Sequence, residues 1–414
     1  MINKAKEHKN FLIHGFGQII NLMTPIFIAP YIIATCGIEN FGKLGVATSF
    51  YLILALFIDF GSSLTGVKEI SVNKNNLKHI KKYLDVVYTL KILIFIMLFI
   101  VLILAILFFN QNIDSKLYLF SIIFLLGQVI NPLWIYQGTE DFKTSNVIIF
   151  ISKSLYIALV FIFIKKAEHY VYVIFLLGLT NTITFLFYFI KVYFNNKLAL
   201  FAVSYKDLKN EFLTTVSILL SNIFISIYTN APIIIVKYIL GDYAAGIYKI
   251  GDMFLMVLRN YLSVFFNVSF PKFCVTYAEN FGKGINYLKK INTLNIMLLL
   301  FSSIALYVFS IIYISSFSLD TNQINTISFC NKFLFIPLLI ALNIPFYQIL
   351  IFENQQKAIS KVIISSTIIM LLICYVLTLK FKITGTLISI YISEALTTSL
   401  LIILYFHRKK LNKK

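Results

Sequence analysis

Charge is scarce in this chain, and it leans to one sign. Only 13% of the 414 residues are Asp, Glu, Lys or Arg, against about 25% in ordinary globular domains, so a water-exposed surface cannot be built from this composition. The 17 acidic residues are outnumbered by 36 basic ones, for a net charge of +19. A basic excess can serve nucleic acid, but arginine, the main reader of base edges, occurs only as Arg259 and Arg408. The lysines sit in short tracts between apolar segments, a membrane-topology signal that excludes nucleic acid as a partner. Cys36, Cys274, Cys330 and Cys374 form no Cys-x-x-Cys pair and no metal-ligand spacing with histidine, which excludes a disulfide framework and a metal centre. Long polar tracts are missing too. The longest turn on the outward side, 317–328, holds Asp320 as its one carboxylate, whereas chemistry on glycosidic bonds needs a pair. The chain reads as a non-enzyme without an organic cofactor.

What the sequence has is apolar length. Hydrophobic residues make up 59%, with 41 Phe and 25 Tyr, and the mean hydropathy is +0.86. A run of about 20 apolar residues crosses a bilayer as a helix, and twelve segments qualify: 11–35, 43–66, 86–109, 117–138, 145–164, 170–193, 213–236, 243–270, 292–316, 329–352, 359–379 and 384–406. The first follows MINKAKEHK and continues without a small-residue cleavage site, so it reads as a membrane helix rather than a signal peptide. Of the basic residues in the turns, tails and span ends, 23 fall on the side of the N-terminus and 8 on the other. The excess places both termini in the cytoplasm.

Two self-similarities appear at half the chain length. Gly37, Gly42 and Phe50 recur as Gly241, Gly246 and Phe254, and Pro132 and Glu140 recur as Pro345 and Glu353. Such a duplication gives two six-helix bundles, 1–211 and 212–414, related by a pseudo-twofold axis along the membrane normal. Pro25, Pro30, Pro132, Pro232, Pro337 and Pro345 fall inside spans, where each favours a kink.

Ionisable residues within spans are the functional pointers, because each costs about 2.5–3.5 kcal/mol at the bilayer centre. Lys249, Asp252, Met256 and Arg259 recur at helical spacing on one face of the eighth span. Arg259 at mid-depth in a lysine-preferring chain suits bidentate binding of phosphate. An ion pair with Glu394 or Asp252 is the other reading of the same residue, and the sequence leaves both open. Lys91 and Lys153 lie nearer the cytoplasmic ends, within reach of snorkelling. Glu394 sits at mid-depth in the last span, and Asp59 toward the inner end of the second, suiting a gate or loop anchor. The expected substrate contacts are Arg259, Lys249, Lys91 and Lys153, and the expected ion-coupling or gating carboxylates are Glu394, Asp252 and Asp59. The Phe and Tyr rows, and Trp134, read as packing, lipid-facing or interfacial residues.

Four stretches carry a resemblance: NLMTPIFIAPYIIATCGIENFGKLG (21–45), DFGSSLTGVKEIS (59–71), NPLWIYQGTED (131–141) and YTNAPIIIVKYILGDYAAGIYKIGDM (228–253). Together they resemble the bacterial polysaccharide flippases of the Wzx type, the O-antigen and capsule repeat-unit transporters of the multidrug/oligosaccharidyl-lipid/polysaccharide exporter superfamily. The third, with its Pro-x-Trp and Gln-Gly-x-Glu elements, is the most specific, while Lys68 stands where the family often has Arg. The resemblance implies a multidrug-extrusion-like fold with a V-shaped central cavity. It implies an undecaprenyl-pyrophosphate-linked oligosaccharide as substrate, turned to the outer leaflet of the plasma membrane by alternating access and passed to other polysaccharide-assembly membrane proteins. Coupling to a proton or sodium gradient or to the membrane potential is expected. The alternative is an ion-coupled drug or organic-cation exporter of the same fold, which would depend on the carboxylates rather than the cations.

Overall fold

The computed structural model describes residues 2–109, 115–120, 122–317 and 319–411; Lys413 and Lys414 of the basic tail lie outside them. Among the described residues every regular element is a helix. In chain order these are α1 (Ile2–Cys36), α2 (Ile38–Asp59), α3 (Ser62–Val72), α4 (Leu77–Phe109), α5 (Ser115–Phe120), α6 (Ile122–Val129), α7 (Leu133–Gly138), α8 (Phe142–Phe163) and α9 (Tyr170–Asn196). There follow α10 (Tyr205–Leu240), α11 (Asp242–Glu279), α12 (Phe281–Ser316), α13 (Thr321–Asn331), α14 (Ile336–Phe352) and α15 (Gln356–Leu411).

Eleven stretches are long and apolar enough to cross a membrane, against the twelve expected from sequence. The difference lies in the last. Gln356–His407 is 52 residues, roughly 78 Å as a straight helix at 1.5 Å per residue, far more than the ~30 Å hydrocarbon core. Its backbone leaves helical geometry at Phe381 and at Lys382 (φ 53°), and across that break Thr378 and Thr386 join hydroxyls at 2.7 Å. Two spans are thus joined without a loop, at the place where the sequence separates 359–379 from 384–406. Helices α10 to α12 overrun their apolar segments for a different reason: hydropathy stops at the edge of the lipid, but helical hydrogen bonding continues into the polar turns beyond it. Residues 321–328, expected in a turn, belong to a helix, with Asp320 and Gln323 forming a capping box at the start of α13.

The duplicated glycines have the same structural task. Gly37 (φ 84°, ψ 161°) and Gly241 (φ 85°, ψ −178°) are each the single residue between two long helices, α1–α2 and α10–α11, an extended positive-φ backbone that is essentially restricted to glycine. The second match falls at two similar helix endings, one residue out of register, with Glu140 at the left-handed position and Glu353 just before it. After α7, Glu140 N–H reaches Gln137 O and Asp141 N–H reaches Tyr136 O; after α14, Asn354 N–H reaches Ile351 O and Gln355 N–H reaches Leu350 O. Glu140 and Asn354 carry φ of 62° and 58°, so both helices end in a Schellman turn.

The chain forms two compact units, Met1–Ser226 and Ile227–Lys414, with the dividing point inside α10. In the first, small residues let helices approach. A Cβ on Gly178 would strike Ile123 and Phe124, and one on Gly127 would strike Thr182, which draws α6 and α9 together. In the second, Leu262, Leu299, Ala341 and Ile344 form one buried cluster and Phe273, Leu288 and Ile349 another. Outside these interiors many large apolar residues are exposed, such as Phe108, Phe301 and Leu372, as suits surfaces that face lipid.

Candidate functional site

In the first unit the site begins with a broken helix. Helix α2 ends at Asp59 because Phe60 (φ 39°) and Gly61 (φ 90°) both take left-handed backbone. For Phe60 that conformation is strained, and its complete burial together with the Asp59 side chain holds it. Asp59 accepts from Ser63 Oγ at 2.7 Å, Ser63 N at 3.4 Å and Ser62 Oγ at 3.2 Å, so its charge caps the N-terminus of α3. Lys91 Nζ of α4 stands 3.8 Å from the same carboxylate, with side-chain exposures of 1% and 10%. The ammonium also lies over the Trp134 and Tyr88 rings, at 5.4 and 5.9 Å, a desolvated cation–π arrangement.

Trp134 is therefore a buried lid over a charge, not an interfacial ring, and only 3% of it is exposed. Its other side fills the space left by Gly66, where a Cβ would collide with the indole; Gly138 is matched in the same way against Ile70. Ser71 Oγ donates to Gly138 O at 2.9 Å, and Lys74 pairs with Glu140 at 2.8 Å. The stretches 59–71 and 131–141 are thus two sides of one joint, with Lys91 and Asp59 at its centre.

Lys153 lies near the middle of α8, eleven residues from Phe142, or roughly 16 Å along the axis. It is mostly buried and makes no hydrogen bond or ion pair among the described residues.

In the second unit, Lys249 Nζ donates to Asp252 Oδ2 at 3.0 Å one turn along α11, with side-chain exposures of 15% and 14%. Arg259 Nη2 donates to Glu394 Oε1 of α15 at 3.1 Å, at exposures of 21% and 6%. The ion-pair reading of Arg259 is thus realised with Glu394. A guanidinium carries five N–H donors, however, and this bond uses one. Tyr228 went unnoticed in the sequence although it opens the stretch 228–253. Its hydroxyl is buried against the Arg259–Glu394 pair, facing Glu394 and Thr397.

The seven expected residues thus resolve into three matched pairs and one remainder. Asp59 faces Lys91, Asp252 faces Lys249, Glu394 faces Arg259, and Lys153 stands alone. Lys91 is sealed in this conformation, while Arg259 and Lys249 keep part of their surface. Among the described residues no group of three or more His, Cys, Asp or Glu is placed to hold a metal ion.

Comparison with known proteins adds a family and a fold. The family described as "Polysaccharide biosynthesis protein" matches residues 8–276. A protein named "Putative O-antigen transporter" from Escherichia coli (strain K12) is 24% identical over 412 residues, 99% of each chain. One of the same name from Shigella dysenteriae is 22% identical, covering 93% of this chain and 96% of its own. Among solved structures, the lipid II flippase MurJ in an inward closed conformation superposes with a TM-score of 0.63 at 15% identity, over 95% of this chain and 86% of that one. An outward-facing multidrug resistance MATE family transporter of the MOP superfamily gives 0.61 at 15% identity, over 97% and 95%. At such identities these likenesses establish the fold: an all-α, multi-pass membrane architecture shared by exporters of quite different cargo.

Proposed function

The chain belongs to the polysaccharide biosynthesis protein family, and on that premise we propose that it is a flippase. Its cargo in this reading is an undecaprenyl-pyrophosphate-linked oligosaccharide, moved from the inner to the outer leaflet of the bacterial plasma membrane by alternating access. Both termini are cytoplasmic, and the product passes to further membrane proteins of surface-polysaccharide assembly.

The observation that carries the reading is the charge balance within the spans. Each of the three carboxylates expected at the site, Asp59, Asp252 and Glu394, is paired with a cation of its own unit, and Lys153 has no such partner. A site for organic cations requires spare negative charge, whereas a site for diphosphate requires spare positive charge. The cations proposed to meet the diphosphate are Lys153 in the first unit and, in the second, the free donors of Arg259 and Lys249 on the same face of α11, with Lys91 acting from within the joint that it holds together. Energy comes from a proton or sodium gradient or from the membrane potential, with Glu394 and Asp252 as the carboxylates that exchange their protein cation for a coupling ion.

The test is flipping of a labelled polyprenyl-pyrophosphate oligosaccharide in proteoliposomes by wild type and Lys153→Gln. The expected result is a loss of about tenfold or more in a protein that still inserts and unfolds normally. Flipping by Lys153→Gln at the wild-type rate would remove the observation on which the reading rests.

A further inference from the structure

Helices α3 and α4 and the first turns of α10 line a half-open cavity of about 750 Å³, inside the roughly 300–1,000 Å³ range of small-molecule sites. All of its walls belong to the first unit, and none of the seven charges discussed above lines it. Two ion pairs close its sides, His79 Nε2 with Glu69 Oε1 at 2.6 Å and Lys82 Nζ with Asp207 Oδ1 at 3.0 Å. Three further groups face the cavity unmatched. Glu211 accepts from Tyr83 OH at 3.2 Å, but a neutral donor leaves its charge uncompensated. The Lys68 ammonium and the Asn210 amide have no hydrogen-bond partner among the described residues.

These three groups constrain the ligand. One cation, one carboxylate and one amide cancel in charge and offer donors and acceptors side by side. With Glu69, Asp207 and Glu211 on the walls opposite Lys68, Lys82 and His79, the site has no surplus of positive charge to hold a diphosphate. An apolar ligand would strand the polar groups without partners, at a cost of about 1–3 kcal/mol each. Leu64, Ile218 and the Tyr83 ring supply an apolar wall beside the polar one. A compact ring that carries hydroxyls around its rim and C–H groups on its face satisfies both.

We propose that this cavity binds a sugar ring of the transported oligosaccharide, with its hydroxyls on Glu211, Asn210 and Lys68 and its apolar face toward Tyr83. The proposal rests on the flippase reading and divides the cargo in two: the sugar is recognised here by hydrogen bonding, and the diphosphate elsewhere by spare positive charge.

The experiment uses the full chain in lipid nanodiscs and two probes, each titrated calorimetrically. One is the free oligosaccharide released by mild acid from the producing strain's lipid-linked pool; the other is undecaprenyl diphosphate without sugar. Wild type is compared with Asn210→Ala and Glu211→Gln. Asn210 is exposed and unpartnered, so its truncation does not threaten folding, and thermal unfolding checks Glu211→Gln. Each variant is expected to weaken the free oligosaccharide by about tenfold, the loss of one hydrogen bond to a charged or amide group, and to leave the sugar-free lipid unchanged. Wild type that binds no free oligosaccharide, or variants that bind it as wild type does, would overturn the proposal and leave the cavity as a polar joint between helix ends. If flipping of the lipid-linked probe persists in that case, only the sugar site falls; if flipping is absent while the variants still lose the free sugar, only the flippase reading falls.

Discussion

The two units use the same device, a carboxylate facing a long cation between two helices, with opposite accessibility. In the first unit Lys91 and Asp59 are sealed under Trp134, with side chains 1% and 10% exposed. In the second, Arg259 keeps 21% of its side chain exposed while Glu394 keeps 6%. The difference comes from what surrounds each pair. Asp59 sits at a helix break, where two serine hydroxyls and a backbone N–H already hold it, so the added lysine completes a structural knot. Glu394 sits inside an unbroken stretch of α15 and takes one N–H of Arg259, so the guanidinium keeps unused hydrogen-bonding capacity. A buried ion pair is weak evidence of stability in itself; its unspent donors separate a site from a joint.

That contrast can be broken at its strongest point first. Lys91→Met leaves Asp59 buried without its counter-charge and should destabilise the protein by about 3–5 kcal/mol, read as a large drop in thermal unfolding temperature in detergent. Adding Asp59→Leu should recover much of that loss, because removing both charges is far cheaper than stranding one. A single variant as stable as wild type would show that the first-unit pair is not a knot. Close packing comes next. Gly66→Ala drives a methyl into Trp134, and Gly251→Ala drives one into Phe333, each overpacking a helix contact at about 1–3 kcal/mol. Unfolding measurements should place the two costs in the same range, and a tolerated Gly66→Ala would separate Trp134 from the joint. The smallest effect tests the duplication itself. Gly37→Ala and Gly241→Ala meet no neighbouring atom within 4 Å and differ from wild type only by a positive φ. With no neighbour struck, both should cost toward the lower end of about 1–3 kcal/mol, equally, and a clear inequality would argue against equivalent turns.

The spans were legible because apolar length is a one-dimensional property, and the duplicated glycines were legible because only one residue type suits their backbone. That Lys249 and Asp252 share a helix face followed from helical spacing alone, whereas their pairing emerged only in the structure. The interior of the first unit was not legible. Lys91 read as a snorkelling lysine because its partner, Asp59, is brought to it by a break at Phe60 that no glycine or proline at that residue announces. Trp134 read as interfacial because ring type carries no information about the glycine opposite it. The join at Phe381 and Lys382 was read as a gap between spans, and the structure replaces a loop there with two non-helical residues. For Arg259 the sequence left two roles open, and the geometry shows that one does not preclude the other, since a single donor serves Glu394.

The central claim is that spare positive charge in the membrane meets an anionic cargo. Its most direct test is flipping of a polyprenyl-pyrophosphate oligosaccharide in proteoliposomes by wild type, Arg259→Ala and Arg259→Lys. The account predicts that wild type flips the probe, that alanine loses about tenfold or more, and that lysine, which keeps the charge but not the planar fork, restores part of the rate. A wild type that flips nothing, extrudes an organic cation, and fails only when Asp59, Asp252 or Glu394 is neutralised would contradict it.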